Sequence, residues 1–489
     1  MPDLFLAGAW RAGADGETDE VINPADQSVL AHVDRAAPAD VDAAVTAARR
    51  AFDRGPWPRT PAVERGALLS RVAELLVRDK EEFARTETLD TGKTLGEARQ
   101  DVDDVVAVLR YYAQAAGRSL DREVEVPTPG VRSRIVHEPV GVCALITPWN
   151  YPLLQISWKL APALAAGNTM VVKPSEVTPL TTGLLVARLD EAGVDPGVVN
   201  LVLGPGAGVG GRLCEHPDVD LVSFTGGLVT GRGVMAAASR SLKRVALELG
   251  GKNPNVIFAD ADFDTAVDYA LTGAFLHSGQ VCSAGSRILV EESCYEPFVA
   301  ELAARADRIR LGDGMAAGTE CGPLVSRAQL DKVERYVALG REEGATLRAG
   351  GGRPDDPALA KGFYHRPTLF ADCDRSMRIV QEEVFGPVAT VETFRTEEQA
   401  VELGNDTQYG LAGAVFSADL DRARRVAGRL RHGTVWINDY HPYLPQAEWG
   451  GYKQSGIGRE LGAGGLLEYY ETKHVYENLR PGPQRWFAG

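Results

Sequence analysis

Cys282 stands in the segment GQVCSAGSR, between a stretch of helical spacing that ends near Ser278 and a β-prone run that begins at Arg287. A thiolate is a strong nucleophile, but at an ordinary thiol pKa near 8.5 only about 3% of a free cysteine is ionised at pH 7. A working site must therefore lower that pKa or supply a base. The small neighbours Gly279, Ser283, Ala284 and Gly285 leave room for a reactant to approach. An inert, buried cysteine is the alternative.

Glu248 closes the apolar run RVALEL and is followed by Gly250 and Gly251. A carboxylate in that position is costly unless it is paired or functional, and ligands bind at the carboxyl ends of parallel strands. Desolvation would raise its pKa and suit it to general-base work. An ion pair with Arg244 or Lys252 would be the structural alternative. Asn150, in TPWNYPLLQISWK, precedes a helix with Pro152 in its first turn. Such an Asn caps the helix or offers its amide to an oxyanion. Tyr151 and Trp158 are seven apart, so on a helix they share a face, as core-packing pairs do.

Two glycine-rich segments could bind an anion. GAGVGG at 206–211 matches Gly-x-Gly-x-x-Gly after a strand, but Pro205 precedes it and no acidic residue follows at the spacing that holds a ribose. FTGGLVTG at 224–231 is better placed, with two glycines between a strand end and a helix start, where free N–H groups and the helix dipole attract phosphate. Glycines needed only for tight turns would look the same.

Positioning these residues requires a regular scaffold. Apolar β-prone runs recur at 142–147, 169–173, 199–203, 221–225 and 244–249, with helical spacing over 153–165, 180–192 and 231–239. That alternation predicts βαβ units in a parallel sheet. A second series follows the GGKNP turn at 250–254, with strands at 255–258, 287–290, 388–394, 413–416 and 434–437 and helices at 330–343 and 419–430. Residues 121–139 read as a hairpin around Pro127, Pro129 and Gly130, and 469–479 as a strand. Their open edges would be covered by pairing between subunits, or the segments are surface loops.

Composition narrows the function classes. The chain has 489 residues and a formal charge of −15, so a phosphate backbone is repelled and nucleic acid is not expected as a partner. Six scattered cysteines predict reduced thiols rather than a disulfide framework. No Cys-x-x-Cys or His-x-x-x-His occurs, so no metal site is expected. No run of about 18 apolar residues predicts a membrane span, and Met1 to Trp10 is too short and too weakly apolar for a secretory leader, so a cytoplasmic location is expected.

PWN at 148–150, KPSE at 173–176, FTGG at 224–227, ELGGK at 248–252, GQVCSAGSR at 279–287, EEVFGP at 382–387 and GGYKQSGIGRELG at 450–462 together resemble the aldehyde dehydrogenase superfamily, in order and spacing, along almost the whole chain. LLQISWK at 153–159 and residues 438–462 are most similar to its betaine aldehyde dehydrogenases. The resemblance implies an α/β fold in three parts: a Rossmann-like NAD-binding domain (1–120 and 140–251), an α/β catalytic domain (252–454), and a small β oligomerisation domain (121–139 and 469–489). It also implies a homo-oligomer, dimer or tetramer.

The implied activity is NAD-dependent oxidation of an aldehyde to a carboxylic acid. Betaine aldehyde is the expected substrate, with ω-aminoaldehydes or a broad aldehyde range as alternatives. By position, Cys282 would be the nucleophile, Asn150 and the Cys282 amide the oxyanion donors, and Glu248 the base that hydrolyses the thioester. Lys159 and Glu460 would assist proton transfer. Lys173 and Glu176 would hold the adenine ribose, Glu383 and Phe385 the nicotinamide ribose and ring. Trp149 and Gly226 would lie near the pyrophosphate, and Gly208, Gly227 and Leu249 would also border the cofactor. Many relatives carry Ser where this chain has Gly227. A carboxylate at 176 should repel a 2'-phosphate and favour NAD over NADP. Tyr151, Trp158 and Trp449 would form an aromatic box for a trimethylammonium head, which Leu276 leaves short of one wall. A relative that transfers its acyl group to CoA would not need Glu248, and a cysteine hydrolase would use His277 as base and no NAD.

Overall fold

In the computed structural model, residues 3–118 and 120–487 are described; residues 1–2, 119 and 488–489, which fall within the expected first and last domain segments, lie outside them. An eight-stranded sheet organises the first half. Its five central strands, Arg244–Glu248, Leu221–Thr225, Val142–Ile146, Thr169–Lys173 and Val199–Leu201, lie in that order and run parallel. Leu4–Leu6 and Ala9–Arg11 form one edge of the sheet; among the five central strands the chain begins at Val142–Ile146, steps outward to that side, then returns and builds the other. The topological switch point therefore lies between Val142–Ile146 and Leu221–Thr225, where a crevice opens at the strands' carboxyl ends.

These strands read as unbroken apolar runs because both faces are covered. Every residue of Val142–Ile146 and of Thr169–Lys173 is buried. The helix Pro152–Ala166 is also buried at every position. It packs against the helices Ala62–Arg78 and Leu95–Ala115, so no polar face was needed. Each large apolar side chain sealed there contributes about 1.5 to 3 kcal/mol.

The second sheet has seven strands, ordered Thr346–Ala349, Thr368–Ala371, Val388–Phe394, Arg287–Glu291, Pro254–Ile257, Ala412–Phe416 and Thr434–Ile437. All neighbours are parallel except the first pair. The expected strands of both series form within two residues of their predicted ends. The short strand Gly456–Ile457 crosses back to pair antiparallel with Arg244–Glu248, so the chain beyond the second sheet closes the edge of the first.

The 121–139 hairpin and the tail meet within one chain. Tyr470–Asn478 pairs antiparallel with Val131–Pro139 from Tyr470↔Pro139 to Asn478↔Val131, and Arg122–Glu123 adds a short third strand. The tail strand is thus paired along one edge within its own chain. Only its outer edge remains unpaired among the described residues. No helix among them is long and apolar enough to cross a membrane.

Candidate active site

Three parallel strands deliver the site from their carboxyl ends. Ile146 leads to Pro148–Asn150, Thr225 to Gly226 and Gly227, and Glu248 to Leu249 and Gly250. Pro148–Asn150, Thr225, Gly226, Gly227, Leu249 and Gly250, with Cys282, Glu383 and Phe385 from the second half of the chain, line one cleft of about 170 Å³, and Glu248 is not among its lining residues. Sequence reasoning placed Trp149, Asn150, Gly226, Gly227, Leu249, Cys282, Glu383 and Phe385 at the site. It did not single out Gln155, Thr225, Gln329 and Lys332, which also line the cleft.

The turn before the nucleophile differs from expectation. The helix ends at Phe275, not near Ser278, because His277 (φ 48°), Ser278 (φ 55°) and Gly279 (φ 68°) all adopt left-handed backbone. At Gly279 a side chain is impossible: a Cβ would lie 2.1 Å from the Gly386 carbonyl. The Cys282 carbonyl accepts from Asn253 Nδ2 at 2.9 Å, and the same amide holds the Ala284 carbonyl at 2.9 Å. Burial pushes the Cys282 thiol up to about 12, and the Glu248 and Glu383 carboxylates add to it, against the Ser283 and Cys282 backbone amides. The resting thiol is protonated and needs a base when it reacts.

Asn150 does not cap the helix. The residue at the cap is Tyr151, which makes no side-chain cap bond. The Asn150 amide instead donates to the Gln280 carbonyl at 2.8 Å, while the Asn150 carbonyl meets His277 Nε2 at 2.9 Å. His277 is thereby spent on backbone, and burial drives its pKa far down, so it is no partner base for Cys282.

Glu248 is 4% exposed, and neither carboxylate oxygen has a hydrogen-bond partner among the described residues. The ion-pair alternative does not form: Arg244 pairs with Glu471 at 3.2 Å, and Lys252 is buried without a hydrogen-bond partner. Desolvation first, and the Glu460 carboxylate second, raise the Glu248 pKa well above the carboxylate range, against the opposing pull of Lys159 and Arg459. Lys159 forms a fully sealed ion pair with Glu460 and donates to Ser223 Oγ at 3.2 Å. Neither Lys159 nor Glu460 lines the cleft; they sit within electrostatic reach of Glu248.

Away from the cysteine, Lys173 Nζ lies 3.2 Å from Glu176 Oε2, and Glu176 Oε1 accepts from the Gly206 amide at 3.4 Å. Burial pushes the Glu176 carboxyl up, but Lys173 and the backbone amides outweigh it, leaving the pKa lowered. Residues 206–211 therefore flank the acidic residue that the fingerprint lacks in sequence. Gly208 lies on a separate groove with Arg35 and Arg212, outside the Cys282 cleft. Gly226 is required because a Cβ there would lie 2.5 Å from the Phe224 ring, whereas nothing comes within 4 Å of a Cβ at Gly227. Glu383 Oε1 accepts from the Gly251 amide at 3.1 Å, and Phe385 meets Trp149 edge-on at 5.1 Å. A lysine–carboxylate pair suited to ribose hydroxyls, open glycines at a strand end and a second carboxylate beside the cysteine fit a dinucleotide.

Trp158 and Trp449 form one aromatic cluster at 6.1 Å between centroids. Tyr443, which sequence reasoning missed, completes it at 5.5 Å from Trp158 and 5.1 Å from Trp449. It lies in an irregular loop, where no periodicity marks a functional side chain. Tyr151 stands against His277 at 5.3 Å, with Lys93 Nζ 4.0 Å above its ring. Leu276 borders a different surface cavity, with Phe275 and Cys321.

Residues 10–475 match the aldehyde dehydrogenase family. The chain is 57% identical over 484 residues to the betaine aldehyde dehydrogenase of Bacillus subtilis (strain 168), covering 99% of both chains. It is 44% identical to aminoaldehyde dehydrogenase 2 of Zea mays, covering 99% of this chain and 97% of that protein. A crystal structure of Staphylococcus aureus betaine aldehyde dehydrogenase in complex with NAD+ superposes with a TM-score of 0.99 at 51% identity, covering 100% of this chain and 97% of the other.

Proposed function

The chain belongs to the aldehyde dehydrogenase family, and from that premise we propose that it oxidises betaine aldehyde to glycine betaine with NAD as the oxidant. One observation carries the reading: Cys282 and Asn150 share a cleft with Glu383 and Phe385, while a desolvated Glu248 ends the strand beside them.

Cys282 adds to the aldehyde carbon, giving a thiohemiacetal. Glu248 is the candidate to take the thiol proton, since desolvation raises its pKa and makes its ionised form a stronger base than an exposed carboxylate. The oxyanion receives the free hydrogen of the Asn150 amide and the Cys282 backbone N–H, each donor contributing about 3 to 4 kcal/mol. Lys173, Glu176, Trp149, Gly208, Gly226, Gly227, Leu249, Glu383 and Phe385 would hold NAD, which when bound would supply the hydride acceptor needed for the thioester to form. Glu248 then deprotonates the water that releases the acid, and the Lys159–Glu460 pair passes the proton on.

Trp158, Trp449 and Tyr151 receive the trimethylammonium head, which has no hydrogen to donate and is best held by π faces. The maize relative's name supports a second reading, ω-aminoaldehyde oxidation by the same chemistry. We assign 1–120 and 140–251 to the cofactor domain, 252–454 to the catalytic domain, and 121–139 with 469–489 to oligomerisation as a dimer or tetramer in the cytoplasm. The unpaired edge of the three-stranded sheet supports that last part. Comparing kcat/KM for betaine aldehyde and its neutral tert-butyl isostere, 3,3-dimethylbutanal, tests the substrate. A clear preference for the cation is expected, and equal values would remove the aromatic box from the reading.

A further inference from the structure

Ser283 follows the nucleophile directly and is fully buried. Its hydroxyl lies 3.1 Å from the Tyr443 hydroxyl and 3.3 Å from His441 Nδ1. Its carbonyl accepts from the Tyr440 hydroxyl at 3.0 Å, so the loop carrying Tyr440, His441 and Tyr443 is tied to the nucleophile's neighbour at three points. That loop is held under strain, since His441 has φ 74°.

The direction of these bonds follows from the acceptors around His441. Its Nε2 completes no hydrogen bond of normal geometry, and the groups facing the ring are the Gly273 and Thr272 carbonyls. Burial pulls the His441 pKa down to about 4, so the imidazole is neutral. A carbonyl only accepts, so the favoured tautomer carries its proton on Nε2 and leaves Nδ1 as an acceptor. Ser283 then donates to Nδ1, and Tyr443 donates to Ser283 Oγ. The phenol hydrogen is committed inside the protein. Tyr443 therefore offers the aromatic cluster its ring rather than a hydrogen-bond donor.

We propose that Ser283 is a positioning residue for substrate choice: its hydroxyl, fixed between His441 and Tyr443, holds the Tyr443 ring against Trp158 and Trp449 as a wall for a cationic head group. This rests on the substrate reading above. It gives the box a wall from the loop at 443, where Leu276 supplies none.

The test uses the full-length enzyme. Ser283→Ala should lower the kcat/KM ratio of betaine aldehyde to 3,3-dimethylbutanal by about fivefold, through KM for the cation. Its kcat should stay within about twofold, and Ser283→Thr should restore the ratio because it keeps the hydroxyl. An unchanged ratio in Ser283→Ala, or equal losses on both aldehydes, overturns the proposal. If the unmodified enzyme does not prefer the cation, the substrate reading fails, and the Ser283–Tyr443 link is decided by Tm in a cycle of Ser283→Ala, Tyr443→Phe and the double variant. Non-additive shifts support the link, and additive shifts overturn it.

Discussion

The Asn150 side-chain amide donates one hydrogen to the Gln280 carbonyl, 2.8 Å away and two residues before the nucleophile, which leaves its other hydrogen for the cleft. The bond locks the amide to the segment that carries Cys282, so donor and nucleophile are placed together. Asn150→Ala should lower kcat by about 100- to 1,000-fold, the cost of losing one preorganised oxyanion donor. Steady-state kinetics with a saturating aldehyde check this, and a loss confined to KM would contradict it.

Glu248→Gln keeps the shape of the strand end but removes the base for hydrolysis. Rapid mixing of enzyme, NAD and aldehyde should show no more than one equivalent of NADH per site, formed more slowly than in the unmodified enzyme because the thiol has lost its base too, followed by a steady rate reduced by at least about 100-fold. Unchanged turnover would remove Glu248 from the hydrolytic step.

The raised Glu248 pKa sets the sign of the pH response. A carboxyl shifted upward holds its proton to higher pH and acts as a base only once that proton is lost, so hydrolysis should rise with pH through the raised value. Glu460 is the second-largest cause of the shift. Glu460→Gln removes that negative charge and leaves Lys159 unbalanced, and both changes favour ionised Glu248. The acid limb of the kcat profile should move to lower pH. The same variant breaks a sealed ion pair and should destabilise the fold by about 3 to 5 kcal/mol, read by denaturant unfolding.

Coenzyme choice should depend on Glu176, held ionised by Lys173 beside Gly206. Glu176→Ser removes the carboxylate that would oppose a 2'-phosphate. The kcat/KM ratio of NADP to NAD should rise at least about tenfold. A fall for both coenzymes in proportion would show that Glu176 contributes only to general binding.

Much of the scaffold was legible because its elements are local. The runs at 169–173 and 221–225 became strands with the predicted ends, since a buried parallel strand needs only a short apolar run bounded by turns. The helix end before Cys282 was misread because Leu276, His277 and Ser278 have side chains that any helix accepts. The left-handed backbone of His277 and Ser278 goes with the close approach of Gly279 to Gly386, more than a hundred residues away. The fate of Asn150 was equally hidden, since an Asn before a Pro-started helix has the composition of a cap, and only the approach of Gln280 diverts its amide. Tyr443 escaped notice because loop residues carry no period.

By themselves, the amino acids determined which chemical groups this protein has available: a thiol flanked by small residues, a carboxylate closing an apolar strand, and motifs in the order of a known family. Those follow from residue type and neighbouring sequence. The tertiary structure alone decided that the thiol's pKa is pushed up rather than lowered, that Glu248 finds neither Arg244 nor Lys252, and that Tyr443 rather than Leu276 joins the two tryptophans. Charge state and contact depend on what surrounds a group in space, and here those surroundings come from strands, turns and loops far apart in the chain.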